Sequence, residues 1–219
     1  MSDEPTRTIA IVLYEGFTAL DAVGPYDTLG HLPGSRTVFV AERPGPVAGD
    51  RGTLSLVAAC SFDDLPRPEL IVVPGGPDAL VEKAAPAVVP WLREADRHSE
   101  LTTSVCTGAL LLAHAGLLTG RRATTHWLSR ERLAALGARP VPDRVVTDGK
   151  YVTAAGVSSG IDMGLTLLGR LAGDRVAQSA QLMIEYDPQP PYDAGSPESA
   201  PADLVAHWRK VAGSAASGA

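Results

Sequence analysis

An α/β fold with a mostly parallel central sheet, covered by helices on both faces, is predicted by three features of the chain. Short, compact Ile/Val/Leu runs alternate with stretches of helical periodicity for most of the length. Those runs are continuously apolar rather than alternating, as strands buried on both faces are. With 219 residues, 45% of them hydrophobic, the chain has material for one domain with a sizeable core.

The elements follow in order. Thr8–Tyr14, Arg36–Ala41, Leu70–Pro74 and Leu101–Val105 read as central strands. Helices are expected over Thr18–Leu32, as one short turn over Ala79–Val81, and over Ala87–His98, where Val88, Val89, Trp91, Leu92 and Ala95 recur at helical spacing. A helix begins just after Cys106 and stops at Gly116. Then come a short strand at Arg122–Thr125, a helix at Leu128–Leu136, and strands at Val145–Thr147 and Tyr151–Ala155 joined by the turn signal Asp148-Gly149. Two more helices, Ser159–Ala172 and Asp174–Tyr186, are separated by Gly173, with Asp174 as the expected N-cap. Residues 8–186 thus form the core. The prolines of 187–201 dictate an extended arm, either subunit-binding or a linker, followed by a helix over Pro201–Val211 and a flexible tail of small residues.

Bulk chemistry excludes several function classes. A net charge of −6 and no long Lys/Arg run disfavour nucleic acid and anionic membrane as partners. No apolar run approaches the ~20 residues of a membrane span, and the first residues lack a signal peptide's apolar region, so a cytoplasmic protein is expected. Two cysteines make no disulfide framework, and no Cys or His pair has zinc-site spacing, so neither disulfide stapling nor a structural metal is expected. A small molecule is the expected partner.

The chemistry-bearing residues sit where strands end. Cys106 lies where the β-prone Leu101–Val105 turns into the helix-prone Gly108–Ala113; a thiol facing a helix N-terminus can be acidified and act as a nucleophile, although buried free cysteines are common packing residues. Cys60 reads as structural. Asp21, between Leu20 and Ala22, is either a helix-start acid satisfied by backbone N–H groups or a buried general acid/base whose pKa is raised. Glu15 and Asp27 read as surface residues. Gly75 and Gly76 follow a buried strand and allow close backbone approach, so the Gly76 N–H could face an anion; a plain tight turn would also use Gly-Gly. Thr107 offers an N–H and a hydroxyl. His126, beside Trp127, is either a partner for the cysteine or a structural histidine, and His31, His98, His114 and His207 carry no chemical motif.

Leu20-Asp-Ala-Val-Gly-Pro-Tyr-Asp, Val73-Pro-Gly-Gly, Thr103-Ser-Val-Cys-Thr-Gly-Ala, Arg122-Ala-Thr-Thr-His-Trp and Tyr192-Asp-Ala-Gly-Ser-Pro together resemble the ThiJ/PfpI superfamily, related to class I glutamine amidotransferases, and most closely the isonitrile hydratases. The resemblance implies a flavodoxin-like three-layer sandwich, a homodimer, a strained nucleophile elbow and no cofactor. It implies Cys106 as nucleophile, Asp21 as acid/base and Thr107 as the residue orienting the intermediate. It also implies an anion-stabilising pocket from Gly76 and Thr107, with Gly75 beside them. His126 and Trp127 are left as possible supports. Many superfamily members have histidine after the cysteine; this chain has Thr107 there, as the hydratases it resembles have threonine. The loop after Pro-Gly-Gly is shorter here than theirs, which bears on pocket shape. The implied reaction is hydration of an isonitrile to an N-substituted formamide through a cysteine thioimidate. Rival readings are a glyoxalase or deglycase-like enzyme and a ligand or redox sensor. The ~30 residues after Tyr186 are too few for a pair of DNA-binding helix-turn-helix motifs.

Overall fold

The computed structural model describes residues 7–216. Its strands are β1 (Arg7–Val12), β2 (Ser35–Ala41), β3 (Gly45–Ala48), β4 (Ser55–Ala58), β5 (Cys60–Ser61), β6 (Leu70–Val73), β7 (Leu101–Val105), β8 (Arg122–Ala123), β9 (Arg139–Pro140), β10 (Val145–Asp148) and β11 (Tyr151–Ala154). Its α-helices are α1 (Ala19–Leu29), α2 (Asp78–Asp96), α3 (Gly108–His114), α4 (Arg130–Ala135), α5 (Ser159–Ala172), α6 (Asp174–Met183) and α7 (Ala202–Ala216).

Seven strands form the central sheet in the order β10-β11-β7-β6-β1-β2-β5. All neighbours pair parallel except the β10–β11 hairpin at one edge. The three middle strands were the most legible because both their faces are covered: β6 and β7 are buried along their whole length and β1 from Ile9 onward. Helices α1 and α5 pack together on one face, and α2 with α3 on the other, giving the expected three-layer sandwich. Chain order reverses between β1, whose successor β2 lies on one side, and β6, which lies on the other. In parallel α/β sheets ligands bind at such a switch point, outside the carboxyl ends of the strands. Asp21, Gly75 and Cys106 all follow strands at that end.

Several expectations need correction. Asp78–Asp96 is one helix, not two segments. Pro86 and Pro90, four residues apart, lie on one exposed stripe, where water can reach the carbonyls that lose their N–H partners. Arg122–Ala123 pairs with β9 in a separate two-stranded sheet and stops before Thr125. Leu128–Leu136 is a 3-10 turn over Trp127–Ser129 followed by α4. Gly173, at φ 87°, holds the cap position of α6, with Asp174 the first helical residue, and that helix ends at Met183 rather than Tyr186. The last helix runs to Ala216, through part of the expected tail, of which residues 217–219 lie outside the described residues. The antiparallel β3–β4 hairpin was not anticipated. Among the described residues no helix is long and apolar enough to cross a membrane.

Candidate active site

Cys106 stands at a sharp elbow between β7 and α3. Its φ of 57° is left-handed, a conformation costly for any residue with a Cβ. Hydrogen bonds on both sides hold the strain. Its N–H is shared between the carbonyls of Ala154 (3.0 Å) and Ala155 (2.8 Å), and its carbonyl accepts the buried Thr125 hydroxyl at 2.8 Å. Gly108 is required next, since a Cβ there would sit 2.0 Å from the Val73 carbonyl oxygen.

Cys106 is 6% exposed. Burial and the neighbouring Asp21 charge push its pKa up, and the Thr107 and Val157 backbone N–H groups that favour the thiolate do not overcome them. The acidified thiolate expected at a helix start is therefore corrected: α3 has only seven residues, and desolvation wins. Cys60, half-buried on β5, also has its thiol pushed up, by burial and by Asp64.

Asp21 is fully buried in the first turn of α1. Its Oδ2 accepts the Gly75 N–H at 2.9 Å, while Oδ1 makes no well-formed hydrogen bond. Desolvation raises its pKa to about 7, against the lowering effects of the Gly75 N–H and the Cys106 thiol beside it, with Asp50 adding a smaller upward push. Both members of the pair resist ionising, the thiol more strongly, so above about pH 7 they hold one proton between them, chiefly on the sulfur, and below it two.

The three residues after β6 tie the site together. The Pro74 carbonyl accepts the Tyr14 hydroxyl at 3.0 Å, the Gly75 N–H goes to Asp21, and the Gly75 carbonyl accepts the Thr18 N–H at 2.7 Å. The Gly76 N–H donates to Thr107 Oγ1 at 2.8 Å, and that hydroxyl donates back to the Gly76 carbonyl at 2.6 Å. Both glycines face neighbours that leave no room for a side chain: a Cβ would lie 2.5 Å from Thr107 N and Oγ1 at Gly75, and 2.5 Å from the Gly16 carbonyl oxygen at Gly76. The Gly75 and Gly76 N–H groups, expected to face a substrate anion, are thus engaged by Asp21 and Thr107. The donors at the sulfur are the N–H groups of Thr107 and Val157.

His126 is not among the groups acting on the thiol. Burial lowers its pKa, which keeps it neutral near pH 7, and its ring abuts Gly156, where a Cβ would be 2.9 Å from His126 Cδ2. It therefore backs the turn that presents Val157. The Trp127 ring centroid lies 6.0 Å from that of His126. Glu15 and Asp27 are exposed, and His114 pairs with Glu82 at 2.7 Å between helices. Pro77 caps α2 directly, so the short loop after Gly76 leads straight into a helix. Among the described residues no group of three or more His, Cys, Asp or Glu side chains converges on a metal position.

Sequence reasoning missed four contributors. Val157 acts through a backbone N–H that any residue could supply, and only the neighbouring Gly156 hints at a tight turn. Tyr14 looked like the end of a strand. Asp50 and its partner Thr18, whose hydroxyl donates to Asp50 Oδ2 at 2.9 Å, meet only because the β3–β4 hairpin folds back; the Gly49-Asp50-Arg51-Gly52 turn was its signal.

Known proteins are similar to this chain in sequence and in fold. The DJ-1/PfpI family model matches residues 7–170. An isonitrile hydratase of Pseudomonas putida is 42% identical over 204 residues, covering 93% of this chain and 89% of its own. The HTH-type transcriptional regulator CdhR of Pseudomonas aeruginosa is 35% identical over 177 residues, but that match spans only 51% of the regulator. The crystal structure of a ThiJ/PfpI family protein from Pseudomonas syringae superposes with a TM-score of 0.91 at 37% identity, covering 95% of this chain and 86% of that one. The elbow cysteine, the sheet order and these matches make the chain a member of the DJ-1/PfpI family.

Proposed function

We infer that the protein is a cofactor-independent isonitrile hydratase that converts R–NC and water into the formamide R–NH–CHO. The observation that carries this reading is the buried Asp21–Cys106 pair, whose members can pass a proton between them, with the Thr107 and Val157 N–H groups donating to the sulfur. Similarity to the Pseudomonas putida enzyme over nearly the full length of both chains supports the choice of substrate.

The roles follow from the proton count. In the resting pair Cys106 is a thiol and Asp21 a carboxylate. Asp21 takes the thiol proton as sulfur bonds to the terminal isonitrile carbon, then gives it to that carbon, leaving the thioimidate R–N=CH–S. The Thr107 and Val157 N–H groups stabilise the sulfur while it is charged. Asp21 next removes a proton from water as the oxygen adds to the same carbon, and passes that proton to nitrogen. Collapse to the formamide breaks the C–S bond, and the remaining hydroxyl proton returns through Asp21 to sulfur. Thr107 holds Gly76 and, through the shared loop, keeps the carboxyl and the sulfur in register.

Homodimerisation and a cytoplasmic setting belong to the same reading. Exposed apolar side chains on the arm and last helices, among them Met183, Tyr192 and Trp208, offer a surface for a second copy. Light scattering giving twice the chain mass would support the dimer. The activity is tested by parallel assays with an alkyl isonitrile and methylglyoxal. Formamide from the former and no turnover of the latter are expected, and turnover of methylglyoxal alone would contradict the reading.

A further inference from the structure

Two hydrogen bonds already described meet on one peptide group. The Tyr14 hydroxyl donates to the Pro74 carbonyl at 3.0 Å, and the N–H of the same peptide unit, on Gly75, donates to Asp21 Oδ2 at 2.9 Å. Tyr14, Asp21 and the glycine loop are all buried. A donor on a carbonyl draws electron density away from its N–H and makes that N–H a stronger donor, more so where water is excluded. We propose that Tyr14 is a positioning residue that acts on Asp21 through the Pro74–Gly75 peptide, tuning how readily the carboxyl holds the proton it exchanges with Cys106.

The neighbourhood leaves few other routes. Asp21 is reached by a hydrogen bond from the Cys106 thiol on the elbow and by the charge of Asp50 on the hairpin turn; Tyr14, just past β1, feels Asp21, Cys106, Asp50 and Asp78. On α5, packed along α1, Asp162 is engaged by Arg144 and Tyr186, and Arg170 by the Gly149 carbonyl. On α1 itself Asp27 is exposed, and on β1 Arg7 pairs with Glu100. Burial and these negative groups push the Tyr14 phenol pKa up, so it stays a donor throughout the working range. The bond to the Gly75 N–H is the largest influence favouring the Asp21 carboxylate, so a change in its strength reaches Asp21 directly.

The role rests on Asp21 and Cys106 acting as proposed, but it can be read without any isonitrile. In a Cys60→Ser background, the alkylation rate of Cys106 by iodoacetamide is followed against pH. The singly protonated pair contains a fixed minor fraction of thiolate with carboxylic acid, so the rate climbs through the ionisation of Asp21 near 7 and then levels. Tyr14→Phe should move that inflection up by about 0.3 pH unit, leaving the rate well below the inflection nearly unchanged and raising the high-pH plateau about twofold, because the thiolate–carboxylic acid form gains on the thiol–carboxylate form. Placing 3-fluorotyrosine at position 14, a better donor of nearly the same size, should move it down, and this variant carries the test if the phenylalanine variant folds poorly. Opposite shifts support the role whether or not isonitriles are turned over. Curves that superimpose, or a loss of rate uniform in pH, overturn it even if formamide is produced normally.

Discussion

Two buried aspartates at opposite ends of the sheet show how the same side chain is made structural in one place and chemical in another. Asp96, at the end of α2, is fully satisfied. Its Oδ1 accepts the Thr102 hydroxyl at 2.7 Å and faces Lys150 Nζ at 3.1 Å, and its Oδ2 accepts the Tyr151 hydroxyl at 3.1 Å. Asp21, beyond the carboxyl ends of β1, β6 and β7, has one N–H on one oxygen and no well-formed bond on the other. Asp96 ties α2 to the starts of β7 and β11. Asp21, desolvated and under-bonded, is raised to about 7, where it can take up and return a proton. A buried acid becomes reactive through the hydrogen bonds it lacks.

Exchanging the two residues' fates is the strongest way to break this contrast. Asp21→Asn should cost about 10²- to 10⁴-fold in formamide production with the fold intact, the usual weight of a general acid/base. Asp96→Ala should leave kcat of the folded enzyme within about twofold but lower stability by roughly 3 kcal/mol in chemical unfolding, because Lys150, Tyr151 and Thr102 lose their shared partner. A normal rate in Asp21→Asn, or an activity defect in folded Asp96→Ala, would remove the distinction.

Stability against pH separates them further. The folded chain binds the Asp21 proton more tightly than the unfolded chain, so this residue favours folding most below its ordinary value of 3.8, and the contribution is lost as pH rises through about 7. At ~1.4 kcal/mol per pH unit the full span is on the order of 4 kcal/mol. Asp21→Asn should accordingly match or exceed the wild type in stability at pH 8, measured by urea unfolding, and lose that advantage toward pH 4. The smallest effect is expected where the site is only supported: Gly156→Ala, pressing on His126, should reduce kcat/KM severalfold by tilting the Val157 N–H, with Tm nearly unchanged.

The fold and the site were legible to different degrees for physical reasons. β6 and β7 could be read because two-sided burial leaves unbroken apolar runs, and α1 and α5 because one stripe faces the sheet. α2 was read as two pieces with Pro86 in the gap between them; a proline breaks a helix when buried, and nothing local reveals that this one faces water. The β3–β4 hairpin is too short for its alternation to register. Within the site, Cys106, Asp21 and Thr107 were found because their side chains are unusual at strand ends. Gly75 and Gly76 were found for their conformational freedom, but the partners of their N–H groups were not legible: hydrogen-bond partners 31 to 54 residues away in sequence are set only by the folded topology. Val157 and Tyr14 act through a backbone N–H and through a peptide link, neither of which marks the sequence.

The central claim is that Asp21 moves the proton for a cysteine-dependent hydration. It is tested most directly by the initial rate of formamide formation from an alkyl isonitrile, at low substrate, between about pH 5 and pH 9. In the wild type kcat/KM should rise about tenfold per pH unit up to an inflection near 7, where Asp21 becomes able to accept the thiol proton. In Asp21→Asn the residual rate should lack that inflection, and Cys106→Ala should produce no formamide. An Asp21→Asn enzyme that keeps the wild-type rate and its inflection would contradict the account.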